Sequence, residues 1–502
     1  MSLKPIGVVV SGSSPVNVPI HVYKGCENLV KEDAFVVIKD EEKNTEYFGV
    51  IRSLRMNDPL LNQNMRSSII DNPELAKHGK EVVFETMNVR VLGVLKPDGQ
   101  LEPPRQPPTP RSQVYLVETP GDVNLKLETG LVLGKHKFSG LEIPLKPDAL
   151  KYHIGIVGAT GTGKSRLVVA LINEVLEKTD WKVLVFDHSG QDYKDYFENH
   201  VVNASSIIQD HEMIYDYLKR EISVKDVAED ALYISLLLYI LHEGNVEKFI
   251  SDTDKKGKKP SELSQELNKL PELLENTDIE EKLKNTQWKA DKLGKLVAEV
   301  LRSISQAKAS TMNRLSVSIS LQKDFFKSLN ERKITARDIL EKLNKDKKVV
   351  IDLSSVKQEE RRYIVYSILR KIWEEIDTKK QPVKILVVID EAHNYATSKP
   401  SVDMIERTAR EGRKWGLGLV LASQRFIDFS TDIRNNINTF FFSKLQTPGD
   451  LENLEGILDL GGIEYDDIAI LATREFYFAG YGNPLKYPVL IEVKEVWPRK
   501  NQ

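Results

Sequence analysis

The chain has 502 residues, which is too long for one ordinary domain and predicts two or three domains, each able to bury its own core. Charged residues make up 29% of it but sum to a net charge of −3, so composition gives no general signal for nucleic acid, and such binding must come from a local patch. The single cysteine, Cys26, excludes an intramolecular disulfide and a multi-cysteine metal site, and we expect it to be a small buried residue in a reducing cytoplasm.

Short valine-rich segments separated by Gly, Asp, Asn and Pro dominate the chain from residue 5 to about residue 145. They are IGVVVSG, AFVVIKD, YFGVIRSL, MNVRVLGVL and VYLVET. Strands at this spacing predict a small β-barrel or sandwich, which we assign to residues 1–148. Residues 102–110 contain five prolines and predict an extended polyproline II segment, which we interpret as a stiff connection rather than a recognition motif.

Continuous apolar strands alternate with helices after residue 150. The predicted strands are HIGIVG (153–158), KVLVFD (182–187), KVVIDL (348–353), KILVVID (384–390), LGLVLAS (417–423) and NTFFFSKL (438–445). Runs that are apolar on both faces are typical of a parallel sheet covered by helices on both sides. We therefore predict an α/β core formed by residues 149–204 and 341–502, including a C-terminal extension.

Residues 205–340 are rich in Lys, Glu and Leu and lack strand patterns. Helical spacing in LGKLVAEVLRSI favours a helical insertion within the α/β core. The charged segment DTDKKGKKPSE (252–262) is typical of a solvated loop, and a DNA-contacting arm is the alternative. The longest apolar run, YISLLLYIL (233–241), is far shorter than the roughly 20 residues that span a bilayer, so we expect a soluble cytoplasmic protein with no membrane partner.

The segment GATGTGKS matches the phosphate-binding pattern G-x-x-x-x-G-K-[ST] and lies between a predicted strand and a predicted helix. Backbone N–H groups of such a loop surround a phosphate, and the positive end of the following helix points at it. Lys164 adds a full charge near the terminal phosphates, and the Ser165 hydroxyl is a ligand for Mg²⁺. The sequence therefore predicts ATP and Mg²⁺ as cofactors. The predicted nucleotide contacts are Gly158, Ala159, Thr160, Gly161, Thr162, Gly163, Lys164, Ser165 and Arg166.

Two carboxylates follow the apolar strand in KILVVIDEAHNY (384–395). Asp390, at the strand end, is the predicted Mg²⁺ ligand, and Glu391, which points elsewhere, is predicted to polarise the attacking water. An acidic pair that caps the next helix is the alternative interpretation. With the phosphate-binding loop present, the catalytic interpretation is favoured.

Four arginines and one lysine lie in RTAREGRKWGLGLVLASQRF (407–426). Gln424, after the next strand, is predicted to sense the γ-phosphate in its own subunit, with a plain strand-end hydrogen bond as the alternative. The basic cluster is either a solvated helix face or the source of an arginine that enters a neighbouring subunit's site. In the second case Arg410 or Arg413 is the catalytic arginine, and the protein must be an oligomer.

These segments together resemble the HerA family of archaeal DNA translocases, within the HerA/FtsK group of hexameric ATPases. The resemblance rests on the N-terminal β-rich region, which is similar to the family's HAS-barrel, on HIGIVGATGTGKS and VVIDEAHNY, and on REGRKWGLGLVLASQR. It implies a RecA-like P-loop ATPase core and a homohexamer with ATP at the subunit seams. It further implies that duplex DNA passes through the pore independently of sequence, and that a NurA-type nuclease docks on the barrel during DNA end resection in double-strand break repair.

The chain departs from the family pattern at two places. The family commonly has Asp-x-x-Gly-Glu-Tyr after the second strand, whereas this chain has DHSGQDY (187–193), which displaces the acidic residue to Asp192. Phe426 stands where a proline is common. Both departures leave the ATPase prediction intact and bear on whether the chain is the principal resection motor or a diverged paralogue.

Other functions remain to be separated from a DNA motor. Two-lobed DEAH helicases need a second RecA-like lobe, but fewer than 80 residues follow Gln424, and the segment LSSVKQEERR (353–362) is not an ABC-type signature. A nucleotide-dependent ring scaffold that recruits a nuclease, or a ring motor acting on protein, stays open. Lys399, in the segment 395–404, is a candidate DNA phosphate contact in a pore loop, against an ordinary exposed loop.

Overall fold

A computed structural model describes residues 4–59, 61, 74, 82–250 and 261–497. The chain divides into two compact units. One unit comprises Met1–Val183, Val383–Thr397 and Glu406–Gln502, and the other comprises Leu184–Pro382 and Ser398–Ile405. In the described ranges, no helix has both the length and the apolar character needed to traverse a bilayer. Most of the charged segment predicted as a loop, residues 252–260, lies outside the described residues.

A six-stranded antiparallel barrel forms the N-terminal part of the first unit. Its strands are β1 (Pro5–Val9), β2 (Asn17–Val22), β3 (Phe35–Asp40), β4 (Thr45–Asn57), β5 (Phe84–Leu95) and β7 (Gln113–Leu116), with the short β6 (Leu101–Glu102) added beside β5. The order around the ring is β2-β1-β7-β3-β4-β5, and pairing of β5 with β2 closes it. Alternate valines and isoleucines point inward, and Cys26 is buried among them. The predicted barrel and the buried cysteine are both confirmed.

The remaining elements follow in chain order. They are β8 (Gly134–His136), β9 (Ile154–Val157), α1 (Lys164–Lys178), β10 (Lys182–Asp187), α2 (Lys194–Phe197), β11 (Val201–Asn203), α3 (His211–Ile222), α4 (Val227–Leu241), α5 (Ser261–Glu275), α6 (Ile279–Asn285), α7 (Ala290–Ile304), α8 (Ala309–Ser320), α9 (Lys323–Glu331), α10 (Ala336–Asp346), β12 (Lys348–Asp352), α11 (Gln358–Lys379), β13 (Ile385–Ile389), α12 (Ser401–Trp415), β14 (Leu417–Ser423), α13 (Thr431–Asn436), β15 (Thr439–Phe442), α14 (Pro448–Glu455), α15 (Tyr465–Ala469), β16 (Glu475–Gly480) and β17 (Val489–Val493).

A mixed sheet forms the rest of the first unit. Its strands β13, β14, β9 and β15 are parallel neighbours in that order. The antiparallel strands β16, β17 and β8 continue the sheet beyond β15. Because β13, β14, β9 and β15 are buried along their whole length, they have the continuous apolar sequences that were used to predict them.

The second unit contains most of the helices. Strand β12 lies between β11 and β10, and β11 runs parallel to β12. Helices α3 to α9 share an apolar core, in which α7 packs against α4 and α8. The predicted helical segment LGKLVAEVLRSI is part of α7, where Leu293, Val297 and Val300 are fully buried and recur at helical spacing.

All six predicted strands are present, and the predicted α/β core is confirmed. The sequence patterns did not predict β8, β11, β16 or β17. Strands β8 and β11 have three residues each, which is too short for a periodic pattern to be recognised. Strands β16 and β17 are apolar enough, but no motif adjoins them to indicate which sheet they join.

A buried polar network joins the barrel to the mixed sheet. Asp33, next to β3, pairs through its carboxylate with Arg52 on β4. The Tyr477 hydroxyl on β16 donates to Asp33 Oδ2 over 2.7 Å. Burial lowers the pKa of His136 to about 3, so its ring is neutral, and Nε2–H donates to the Asp33 carbonyl over 2.9 Å. Each partner therefore satisfies a group that would be costly to bury alone.

The Tyr477→Phe variant is expected to lower the free energy of unfolding by about 2 kcal/mol, because one oxygen of the buried Asp33 carboxylate loses its donor. Tyr23→Phe is a matched control. The Tyr23 hydroxyl donates to Gln113 Oε1 over 2.8 Å at a half-buried position, so its removal should cost less than about 1 kcal/mol. Urea midpoints measure both changes, and equal shifts would contradict the role of the network.

Candidate functional site

The phosphate-binding loop, residues 158–163, connects β9 to α1. Gly161 and Gly163 have φ angles of +83° and +98°, which only glycine adopts readily, so the loop conformation depends on both. The Ala159 N–H donates to the Lys444 carbonyl over 2.7 Å and the Gly158 N–H to the Ser423 carbonyl over 3.2 Å. The loop is thus held by residues at the ends of the neighbouring strands.

Lys164 is the first residue of α1, and its side chain is buried. Its Nζ donates to the carbonyls of Gly158, at 2.8 Å, and Ala159, at 3.3 Å, so the charge lies over the loop. Ser165 is half-buried in the first helical turn, and Arg166 and Thr160 are exposed. A buried lysine beside the N-terminal end of a helix is a favourable environment for a polyphosphate.

The predicted carboxylates lie at the same edge of the sheet as this loop. Strand β14 separates β13 from β9, and all three run parallel, so their carboxyl ends meet at one edge. Asp390 follows β13 and is buried, with 4% of its surface exposed. Glu391 adopts a left-handed backbone conformation, with φ +45°, which turns the chain away from the strand direction. Such backbone strain in a non-glycine residue is common at functional sites.

Glu391 and Gln424 are in direct contact. Gln424, after β14, donates from Nε2 to Glu391 Oε1 over 3.0 Å, and its own Oε1 accepts from Gln446 Nε2 over 3.1 Å. The other carboxylate oxygen, Glu391 Oε2, is buried and accepts no hydrogen bond within the described part of the chain, and His393 Nδ1 lies 3.4 Å from it. One oxygen of Glu391 is therefore oriented by protein, and the other remains able to accept a hydrogen bond.

Two residues at this edge were not singled out from the sequence. His393 contacts both Glu391 and the Ser423 hydroxyl, the latter at 3.3 Å. Gln446 follows β15, the strand on the other side of β9. His393 lies two residues after Glu391 in the segment DEAH, in which only the two carboxylates were predicted as site residues. Gln446 has no local motif, so only its place after a parallel strand could have indicated it.

The two candidate arginines do not lie beside the loop of their own chain. Arg410 pairs with Asp432 Oδ2 over 2.9 Å. The Arg413 guanidinium lies 4.2 Å from the ring centroid of Tyr152. Tyr152 precedes β9, whereas the phosphate-binding loop follows it, and four residues of strand separate the two ends by about 13 Å. Arg410 directly follows Ala409, whose carbonyl accepts a hydrogen bond from His153 at this same end of β9. Neither arginine is therefore brought to the nucleotide site within one chain.

A buried histidine fixes the helix that carries these arginines. Burial lowers the pKa of His153 to about 4, so the ring is neutral. Its Nε2–H donates to the Ala409 carbonyl over 3.1 Å, and Nδ1 accepts from the Leu419 N–H over 3.0 Å. His153 thus ties α12, immediately before Arg410, to strand β14 and to the start of β9.

The two departures from the family pattern have local explanations. Asp192, in the second unit, accepts from the Ser189 hydroxyl over 2.7 Å. Phe426 is fully buried, and its N–H donates to Asp450 Oδ1 over 3.1 Å. A proline has no N–H and would lose this bond.

Lys399, in the second unit, is 81% exposed at its side chain, and its Nζ lies 3.4 Å from Asp403 Oδ2.

The residues at the loop fit a magnesium–nucleotide complex. The glycine conformations leave room for a phosphate against the backbone, and the buried lysine supplies the counter-charge. Ser165 and Asp390 offer the oxygen ligands that Mg²⁺ prefers. Glu391 Oε2 accepts no hydrogen bond among the described residues, so it retains the lone pairs with which to accept a proton from water.

The chain is similar to several known proteins. A family model described as "Helicase HerA, central domain" matches residues 131–372. The DNA double-strand break repair helicase HerA of Sulfurisphaera tokodaii is 27% identical over 479 residues, covering 93% of this chain and 89% of that protein. The protein of that name from Sulfolobus acidocaldarius is 25% identical over 503 residues, covering 97% and 92%. Among solved structures, VirB4 of Thermoanaerobacter pseudethanolicus aligns with a TM-score of 0.48 and 15% identity, over 75% of this chain and 99% of that chain.

Proposed function

Because this chain belongs to the HerA family, we propose that it is an ATP hydrolase that moves along duplex DNA and acts in double-strand break repair. The observation that carries the proposal is the meeting of the phosphate-binding loop, Asp390, Glu391 and Gln424 at one edge of one sheet. The relatives named as DNA double-strand break repair helicases supply the DNA part of the proposal.

Each residue of the site has a chemical task in this proposal. The loop and Lys164 bind the triphosphate, and Ser165 and Asp390 hold Mg²⁺, which neutralises charge on the phosphates when bound. Glu391 accepts a proton from a water molecule as the water oxygen attacks the γ-phosphorus. The bond from that phosphorus to the β–γ bridging oxygen breaks, and ADP and phosphate are released. Gln424 orients Glu391 through their 3.0 Å hydrogen bond and is placed to sense the γ-phosphate.

We further propose that six copies form a ring and that an arginine from one copy completes the site of the next. The distance of Arg410 and Arg413 from their own loop supports this assembly, because neither can act in its own chain without a large movement. Arg413 is the better candidate. Arg410 is neutralised by Asp432, whereas no carboxylate among the described residues lies within 4 Å of the exposed Arg413 guanidinium.

The proposed parts of the chain have separate roles. Residues 1–148 include the barrel on which a NurA-type nuclease would dock, residues 149–204 and 341–502 form the motor core, and residues 205–340 form the helical insertion. Binding in a ring pore addresses the DNA backbone, so it requires no sequence-specific contacts. A ring of six copies presents each pore lysine six times, and Lys399 is the candidate for such a lysine. This local positive charge is sufficient for binding DNA phosphates although the chain has a net charge of −3.

The expected result in solution is ATP hydrolysis that linear duplex DNA stimulates, with a stimulation that declines steeply as salt rises, because phosphate contacts release counterions. Lys399→Ala should weaken DNA binding equally for all sequences and leave the rate without DNA unchanged. Phosphate release and the mass of the particle, each with and without DNA, measure these quantities. If DNA left the rate of ATP hydrolysis unchanged while a protein client raised it, the DNA motor would be rejected in favour of a protein motor. Nucleotide-driven ring closure with negligible turnover would instead favour the scaffold.

A further inference from the structure

A turn formed by Thr473 and Arg474, immediately before β16, contacts the back of the phosphate-binding loop. The Thr473 hydroxyl donates to the Gly161 carbonyl over 3.2 Å. The Arg474 N–H donates to the Thr162 carbonyl over 2.8 Å. A Cβ placed on Gly163 would lie only 3.4 Å from the Arg474 nitrogen, so the two backbones approach closely. Thr473 and Gly161 are 312 residues apart in the chain.

These two bonds determine which way the loop's peptide groups face. In a planar trans peptide the C=O and the N–H point in opposite directions. Fixing the Gly161 carbonyl toward Thr473 therefore turns the Thr162 N–H to the other side, where it donates to the Ala159 carbonyl over 3.4 Å and closes the loop. Fixing the Thr162 carbonyl toward Arg474 likewise turns the Gly163 N–H to the side away from Arg474. Carbonyls that rotated toward a phosphate would repel it, whereas the Gly163 N–H attracts it.

The turn is itself anchored to the C-terminal strand. Arg474 has φ +72°, a conformation that is strained for a non-glycine residue and persists only where its surroundings impose it. Its guanidinium pairs with Glu492 at 3.1 Å and Glu495 at 2.9 Å. Its carbonyl accepts from the Val493 N–H over 2.9 Å. Strand β17 and the residues after it therefore hold the turn against the loop.

We propose that Thr473 and Arg474 are positioning residues of the nucleotide site, which keep the Gly161 and Thr162 carbonyls turned away from the phosphates and the Gly163 N–H turned toward them. The inference rests on the proposed function only in taking the loop as the nucleotide site. It assigns a role to the C-terminal extension, in which no sequence motif indicated one.

The test compares three variants of the full-length chain by their dissociation constant for Mg²⁺–adenylyl imidodiphosphate and by their KM and kcat for ATP. Thr473→Val removes the donor at nearly constant volume and is expected to raise the dissociation constant and KM by about three-fold, with kcat changed by less than about two-fold. Thr473→Ser keeps the hydroxyl and should restore the parent values. Thr378→Val is the matched control, because it removes a comparable exposed hydroxyl that donates to the Glu374 carbonyl over 2.7 Å within α11, so nucleotide affinity should stay within about two-fold of the parent.

Thr473 is exposed, so its variants should fold, and a lowered affinity can be assigned to the lost bond. Equal affinities for Thr473→Val and Thr473→Ser would overturn the inference, as would a change in kcat with KM unaltered. Lys164→Ala separates this outcome from a failure of the proposed function. If Lys164→Ala abolishes nucleotide binding while Thr473→Val has no effect, only the inference fails. If Lys164→Ala also has no effect, the nucleotide site is wrongly placed and both fail.

Discussion

The Glu391→Gln variant is expected to hydrolyse ATP about 10²- to 10⁴-fold more slowly than the parent while still binding it. Glutamine preserves the size of the side chain and can remain hydrogen bonded to Gln424, but it cannot accept a proton from water. The structure makes this variant informative because Glu391 Oε1 is engaged by Gln424 and the buried Oε2 accepts no hydrogen bond within the described residues. Single-turnover phosphate release measures the chemical step, and fluorescence of a labelled nucleotide measures binding.

Glu411→Gln is the matched control for this variant. Glu411 is an exposed carboxylate on α12 whose nearest partner is Arg407, at 3.7 Å, and it should change neither binding nor hydrolysis. Loss of nucleotide binding in Glu391→Gln would indicate a structural role for Glu391. Undiminished hydrolysis would remove it from the mechanism and would make the scaffold function the better account of the chain.

Arg413→Ala is expected to reduce ATP hydrolysis by about 10³- to 10⁵-fold, the range by which an arginine supplied by a neighbour accelerates phosphoryl transfer. The loss should be complemented in trans. Lys164→Ala copies have a defective loop but an intact Arg413, so mixing them with Arg413→Ala copies should restore hydrolysis at the seams where the two meet. The rate of a mixture of two inactive proteins, measured against their ratio, therefore reports directly on action between copies.

Arg410→Ala distinguishes the two arginines in the same assay. Arg410 is paired with Asp432 at the surface, and exposed pairs contribute little, so this variant should retain most of the parent rate. A larger loss in Arg410→Ala than in Arg413→Ala would reverse their assignment. Mixtures that stay inactive at every ratio, from proteins that still assemble, would exclude an arginine acting between copies.

Strand β16 and the turn before it take part both in the buried network that joins the barrel to the mixed sheet and in the support of the phosphate-binding loop. Tyr477 on β16 donates to Asp33 of the barrel, and the turn immediately before β16 contacts the phosphate-binding loop. Within the first unit, therefore, the strand that supports the loop also supports the barrel. The measurements on Tyr477→Phe and Thr473→Val test the two ends separately.

The parts of the site that could be predicted from the sequence are those made by consecutive residues. Glycines, lysine and serine between a strand and a helix specify a phosphate-binding loop, because the local backbone conformation itself forms the site. The same holds for Asp390 and Glu391, which follow an apolar strand directly. The six continuous strands, the barrel segments and the helix α7 were likewise recognisable, since burial on one or both faces imposes a local pattern of apolar residues.

Contacts between residues far apart in the chain were decided by the tertiary structure alone. Strand order places Gln424 against Glu391 and brings Thr473 to Gly161, and neither pairing has a local pattern from which to predict it. The positions of Arg410 and Arg413, at a distance from their own loop, also depend on how α12 packs, with His153 holding it. The physical reason is that the pattern of apolar and polar residues indicates which face of each segment is buried. Which segments become neighbours depends instead on how all of them pack together into one core.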